Sequence, residues 1–158
     1  WRWPLQPYLA MRSQRDPTAP ADPNRSVNST PGILVCPSDT TAAAKWDQTS
    51  YAYSAAFYHT PAQIAAMTTE DLWRLNRFPC VSQSLAAVAY PTHKILAGEW
   101  LSNHSDERVG WWDWRGGRSY LFADGHVKHL RAGQILPAVN GFPDPNLTHG
   151  GLMGKDVE

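Results

Sequence analysis

The segments Arg118-Ser-Tyr-Leu-Phe-Ala123 and His126-Val-Lys-His-Leu130 flank an Asp124-Gly125 pair. Two strand-like runs separated by Asp-Gly give the strongest short-range signal for an antiparallel hairpin. The tight turn needs positive φ at its central positions, which Gly and Asp tolerate best. This stretch is therefore predicted to be antiparallel sheet, and the remaining elements must be short enough to pack around it. Ser50–Ser54 reads as a short strand with its aromatics on one face, and His93–Ala97 as another strand. Thr60-Pro61-Ala62-Gln63 has the capping-box pattern with Pro at the first helical position, predicting a helix to about Met67. Thr68 or Thr69 is placed to cap a second helical stretch through Leu75, with Glu70 and Asp71 near its positive end.

These elements predict an α+β fold: a small antiparallel sheet with a C-terminal hairpin, short helices and long loops. Seven of the 13 prolines lie in the first 37 residues, and ten of the 11 glycines follow residue 97. The expected organisation is one domain over residues 1–158, with a Pro-rich loop region at 1–32 and a core at 33–130. Residues 131–158 are expected to form a Gly/Pro-rich tail that frays. Leu, Ile, Val and Phe together supply only 29 of the 158 residues, while Trp supplies eight and Tyr six, so the core must be largely aromatic.

Charge excludes some partners. The 14 Lys and Arg balance 14 Asp and Glu, so the basic excess that nucleic acid or an anionic membrane demands is lacking. No run approaches the ~20 apolar residues of a transmembrane helix. Because the sequence opens on Trp1 rather than Met, a preceding segment is expected to have been removed. Cys36 and Cys80 are too far apart for a zinc-knuckle spacing. They are expected to form a structural disulfide in an exported protein, with two buried thiols as the alternative. The chain has no G-x-S-x-G, H-E-x-x-H, Walker loop or dinucleotide fingerprint, and no catalytic residue is assigned. His126 and His129 fall on opposite faces of a strand, so they cannot share a metal without a bulge.

Four pieces occur in order: Leu34-Val-Cys36-Pro-Ser-Asp39, Thr49-Ser-Tyr51-Ala-Tyr53, Pro91-Thr-His-Lys-Ile-Leu-Ala-Gly-Glu99, and Gly116-Gly117 leading to Tyr120-Leu-Phe-Ala-Asp124-Gly125-His126-Val127. Together they resemble bacterial prepilin-like proteins that end in His, nine residues, then Asp-Gly. Those proteins are similar to the major pseudopilins of type II secretion. The likeness spans about residues 1–130. Trp114 stands where the motif has its His, and the N-terminal hydrophobic helix of that family is absent from this sequence.

The resemblance implies a globular headpiece and a structural, non-enzymatic role. Such a head would be a subunit of an extracellular pilus or pseudopilus-like filament in a bacterium, at the cell surface or in the periplasm. It would assemble with copies of itself through the head and the missing helix, and only that helix would contact a membrane. It also implies a calcium ion in a C-terminal loop containing Asp-Gly. Calcium takes about six to eight oxygens, and Asp124, Glu99 and Asp113 are the candidate ligands. The alternative for Asp124 is a plain turn residue. Trp111, Trp112 and Trp114, with Trp100 upstream, are expected to divide between core and subunit interface. The rival reading is a secreted carbohydrate-binding module that stacks sugar rings on this cluster.

Overall fold

A computed structural model describes residues 34–39, 49–73, 77–106 and 108–158. The chain divides between Tyr51 and Ala52 into two units. Within the first, Leu34 and Cys36 run beside Thr49 and Ser50. The Leu34 carbonyl accepts from the Ser50 amide at 2.9 Å and the Thr49 hydroxyl at 2.9 Å, and the Ser50 hydroxyl accepts from the Cys36 amide at 2.8 Å. The expected reading of residues 1–32 lies outside the described residues.

The fold class is as expected. Four strands form an antiparallel sheet in the order β1 (Tyr51–Tyr53), β2 (Ile95–Glu99), β3 (Gly117–Phe122) and β4 (Val127–Arg131). In β3 the residues Arg118, Tyr120 and Phe122 are buried while their neighbours are only partly so, the period of two that a one-sided sheet imposes. β4 buries Leu130 alone and otherwise exposes Val127, Lys128, His129 and Arg131. A charged edge of this kind discourages pairing with another chain.

The β3–β4 hairpin forms, but its turn has three residues. The Gly125 amide donates to the Phe122 carbonyl at 3.0 Å, and the Phe122 amide to the His126 carbonyl at 2.9 Å. Gly125 has φ +94°. This is a type I turn followed by one left-handed residue, so Gly125 supplies the positive φ and Asp124 is released to cap. Asp124 Oδ1 accepts from the His126 amide at 3.1 Å and faces His126 Nδ1 at 2.6 Å. These contacts, the amide first, hold its pKa below the ordinary carboxylate value.

The capping box is present as read: Thr60 accepts from the Gln63 amide, and Gln63 accepts from the Thr60 amide at 2.8 Å, opening α1 (Pro61–Ala66). Beyond it, the expected second helix is a 3₁₀ turn at Thr69–Trp73. Asp71 folds back onto the Thr68 amide at 2.8 Å and is bridged by Arg77 at 2.7 Å.

The segment after Leu130 departs most from expectation. It is irregular, with 3₁₀ turns at Ala132–Gln134, Pro145–Leu147 and Gly151–Met153, yet it is packed rather than frayed. Ile135 joins Ala52, Ile95, Trp111, Tyr120, Phe122 and Leu130 on the sheet. Ala138 and Leu147 cover Ala55, Ile64 and Met67, and Leu152 covers Ala56 and Phe57. The tail is anchored by Asp156, which is 3% exposed and lies 3.0 Å from the fully buried Lys94 Nζ. The same carboxylate accepts from the Ile95 amide at 2.7 Å and the Thr148 hydroxyl at 2.5 Å. Lys94 also donates to Thr148. Burial pulls the Lys94 pKa below the ordinary lysine value, and Asp156 opposes that shift.

The Cys36–Cys80 disulfide is not formed: both residues are thiols, Cys36 buried and Cys80 exposed.

Removing one partner of a buried pair strands the other charge. Asp156→Ala is therefore expected to lower unfolding free energy by about 3–5 kcal/mol. In Lys94→Met/Asp156→Leu most of that loss should return, as measured by denaturant melts of the full chain.

Candidate functional site: the tryptophan loop

The connection from β2 to β3, residues 100–116, carries the whole tryptophan cluster. A loop of this length closes at little entropic cost but has no internal reason to hold one shape. Its shape comes from Arg118. The alternation of β3 turns that side chain inward, where it is fully buried. Its Nε donates to the Val109 carbonyl at 3.2 Å, and Nη2 to the carbonyls of Val109 at 2.9 Å, Gly110 at 2.5 Å and Arg115 at 3.1 Å. A guanidinium suits this task because its donors form a rigid planar fork.

Backbone contacts finish the frame. Ser102 and Val109 exchange two bonds, the Ser102 amide to the Val109 carbonyl at 3.0 Å and the Val109 amide to the Ser102 hydroxyl at 3.0 Å. Leu101 bridges Gly110. Gly116 has φ +77°, and a Cβ there would press on Ser102, so the loop exit tolerates glycine alone. The Trp111 indole donates to the Glu99 carbonyl at 2.6 Å.

This frame sorts the tryptophans. Trp111 is fully buried against Tyr120 in the sheet core, and Trp100 packs against the same cluster. Trp112 is 42% exposed and Trp114 45% exposed. The Trp112 ring lies over Gly110, where any Cβ would overlap it. Buried and exposed indoles thus divide between Trp111 and Trp112, which places Trp111, one of the three residues expected at an interface, in the core.

The structure does not bring the proposed calcium ligands together. Glu99 is buried and accepts from the Ser119 amide at 2.7 Å, filling a ladder position where β2 ends. Three residues of extended strand, about 10 Å, separate Ser119 from Phe122 before the turn carrying Asp124 even begins. Asp113 is gripped by Arg115 through Nε at 3.0 Å and Nη2 at 2.8 Å. Each carboxylate serves its own local contact, and Asp124 is the turn cap that was the alternative reading. His126 precedes β4 and stacks on Phe122, away from His129.

Arg118 and His104 were not among the sequence candidates. Arg118 was nevertheless signalled by its place in the Arg118–Tyr120–Phe122 alternation. His104 had no such signal, because its partner Glu99 meets it only through the loop's fold. No protein-family model matches this chain, and neither the curated proteins nor the solved structures contain a match to it.

Two outcomes are expected here. Arg118→Met takes the guanidinium from three carbonyls, of which Val109 keeps the Ser102 amide and Gly110 the Asp113 amide while Arg115 is left bare, and should destabilise the chain by about 1–3 kcal/mol. Hydrogen exchange should quicken at the Ser102 and Val109 amides. Asp113, held by the Arg115 side chain and amide at a pKa of about 2 against an ordinary 3.8, should move only part of the way back toward the ordinary value in Arg115→Gln by NMR, because the amide of residue 115 still donates to its Oδ1. Because the folded pKa is the lower, its stabilising contribution is complete above about pH 4 and is lost as pH falls toward about 2.

Proposed function

We propose that this chain is the head of a pilin-like or pseudopilin-like filament subunit, exposed outside a bacterial cytoplasm. It packs against copies of itself through Trp112 and Trp114. The observation that carries this reading is the pairing of two half-exposed indoles with a loop backbone clamped by a buried Arg118. Large apolar side chains held in one geometry lose little entropy on contact, which is why tryptophan dominates interface hot spots. The order of the four pieces that resemble prepilin-like proteins supports it too. The hydrophobic helix implied by that resemblance would form the filament core. Many weak head contacts would then add to strong helix contacts. Among the described residues no helix is long and apolar enough to cross a membrane.

The same two indoles favour a second reading, a carbohydrate-binding surface, since a rigid exposed indole also stacks on a sugar ring. Sedimentation across a concentration series separates the two. A filament head should self-associate weakly, and Trp112→Ala or Trp114→Ala should weaken that by roughly thirtyfold, about 2 kcal/mol. Tryptophan fluorescence should stay flat across soluble oligosaccharides. A saturable glycan response with no self-association would replace the filament reading with the second one.

A further inference from the structure

Asn140 and Gly141 lie in the turn between the 3₁₀ segments Ala132–Gln134 and Pro145–Leu147, and they form the chain's single Asn-Gly pair. Gly141 is exposed and has φ +77°. It has no Cβ to keep its backbone nitrogen from the side-chain carbonyl carbon of Asn140. The fold, however, engages every polar atom that such an approach would use. The Gly141 amide donates to the Ala138 carbonyl at 2.9 Å. Asn140 Oδ1 accepts from the Phe142 amide at 3.1 Å, and Nδ2 donates to the Thr69 hydroxyl at 2.9 Å and to Asp144 Oδ2 at 3.2 Å. Asp144 is 2% exposed, and its other oxygen accepts from the Asn146 amide at 3.0 Å and Nδ2 at 2.9 Å. Asn146 Oδ1 in turn accepts from the Ala55 amide at 3.0 Å. Asn140 thus closes a line of contacts that runs from an exposed turn into the core.

We propose that Asn140–Gly141 is a site of spontaneous deamidation that the fold holds closed, and that conversion there keeps the turn from closing again. The reaction needs only water. The Gly141 nitrogen attacks Cγ of Asn140, and the new carbon–nitrogen bond closes a cyclic succinimide. The side-chain nitrogen leaves as ammonia and takes the Gly141 amide proton with it. Water then opens the ring at either carbonyl, leaving aspartate or isoaspartate at position 140. Attack requires the Gly141 amide to leave Ala138 and the side chain to leave Thr69 and Asp144, so the rate follows local opening of the turn. The product does not fit where asparagine did. A carboxylate has no hydrogen to give Asp144, and it sets a second negative charge beside a buried one. Isoaspartate also lengthens the main chain of the turn. Ala138 and Leu147 lie on either side of this turn and cover Ile64 and Met67, so the change reaches the core.

The test incubates the full chain at neutral pH and follows residue 140 by peptide mapping with mass spectrometry, which separates asparagine, aspartate and isoaspartate. In the urea-unfolded chain, conversion at Asn140 should run roughly tenfold faster or more than in the folded chain, because several hydrogen bonds no longer have to open first. Thr69→Val keeps the shape of that side chain and removes one acceptor. Folded Thr69→Val should convert about fivefold faster than folded wild type, the scale of one lost hydrogen bond. Asn140→Asp reproduces one product directly. Relative to wild type it should melt several degrees lower at neutral pH. Like-charge repulsion raises the folded pKa of the carboxylate pair above its unfolded value, so the deficit should largely vanish at about pH 4, where one of the two is protonated. The proposal is overturned if the folded chain converts at residue 140 as fast as the unfolded one, if Thr69→Val leaves the rate unchanged, or if Asn140→Asp melts with wild type at neutral pH.

Discussion

The irregular C-terminal segment is held on the sheet by one buried ion pair, Lys94–Asp156, and much of the core depends on it. Ile135, Ala138, Leu147 and Leu152 all belong to a stretch with no strand or α-helix to lend them order. Desolvating a lysine and an aspartate costs several kcal/mol per ion unless their remaining hydrogen-bonding capacity is met. Here it is met, because Asp156 accepts from Lys94, from the Ile95 amide and from Thr148. A leucine pair would avoid the desolvation cost. It would not bond the Ile95 amide at the point where β2 begins, and it would not fix where along the sheet the tail lies. The backbone repeats the attachment on either side: the Asp156 amide donates to the His93 carbonyl at 2.9 Å, and its carbonyl accepts from Leu136 at 2.7 Å.

The same solution appears at the other long irregular stretch. Arg118 orders residues 100–116 as Lys94 and Asp156 order residues 131–158, by placing a buried charge among backbone groups that no regular element satisfies. The choice of cation follows the acceptor. Lys94 is a compact point donor facing one carboxylate and one hydroxyl, whereas Arg118 spreads its fork over carbonyls from three different residues. A chain with so few aliphatic side chains cannot stabilise long loops by burying them under apolar mass. It does so by satisfying their backbones from within.

That division explains what the sequence reveals. The Thr60–Gln63 capping box and the β3–β4 hairpin are local: their partners lie three to fourteen residues away, and residue type alone specifies them. The three-residue turn at Ala123–Gly125 was missed because Asp-Gly fits both turn lengths, and the choice rests on how Phe122 pairs with His126. Lys94 and Asp156 lie 62 residues apart, and no pattern in either neighbourhood points to the other. The tail read as fraying because Pro and Gly mark the absence of regular structure. They say nothing about burial. The calcium set failed for a related reason: Glu99, Asp113 and Asp124 were grouped by charge, but the strand between Ser119 and Phe122 separates the first from the last.

Trp114 is half-exposed, and that exposure decides what an exchange at this position would do. Were the position buried, a side chain of different volume would force the core to rearrange around it. Instead Trp114 lies in a loop whose backbone is set by Arg118, Ser102 and Gly116, through contacts that do not involve the side chain at 114. The effect of an exchange there falls on the surface, because the clamp that shapes the loop lies elsewhere in it.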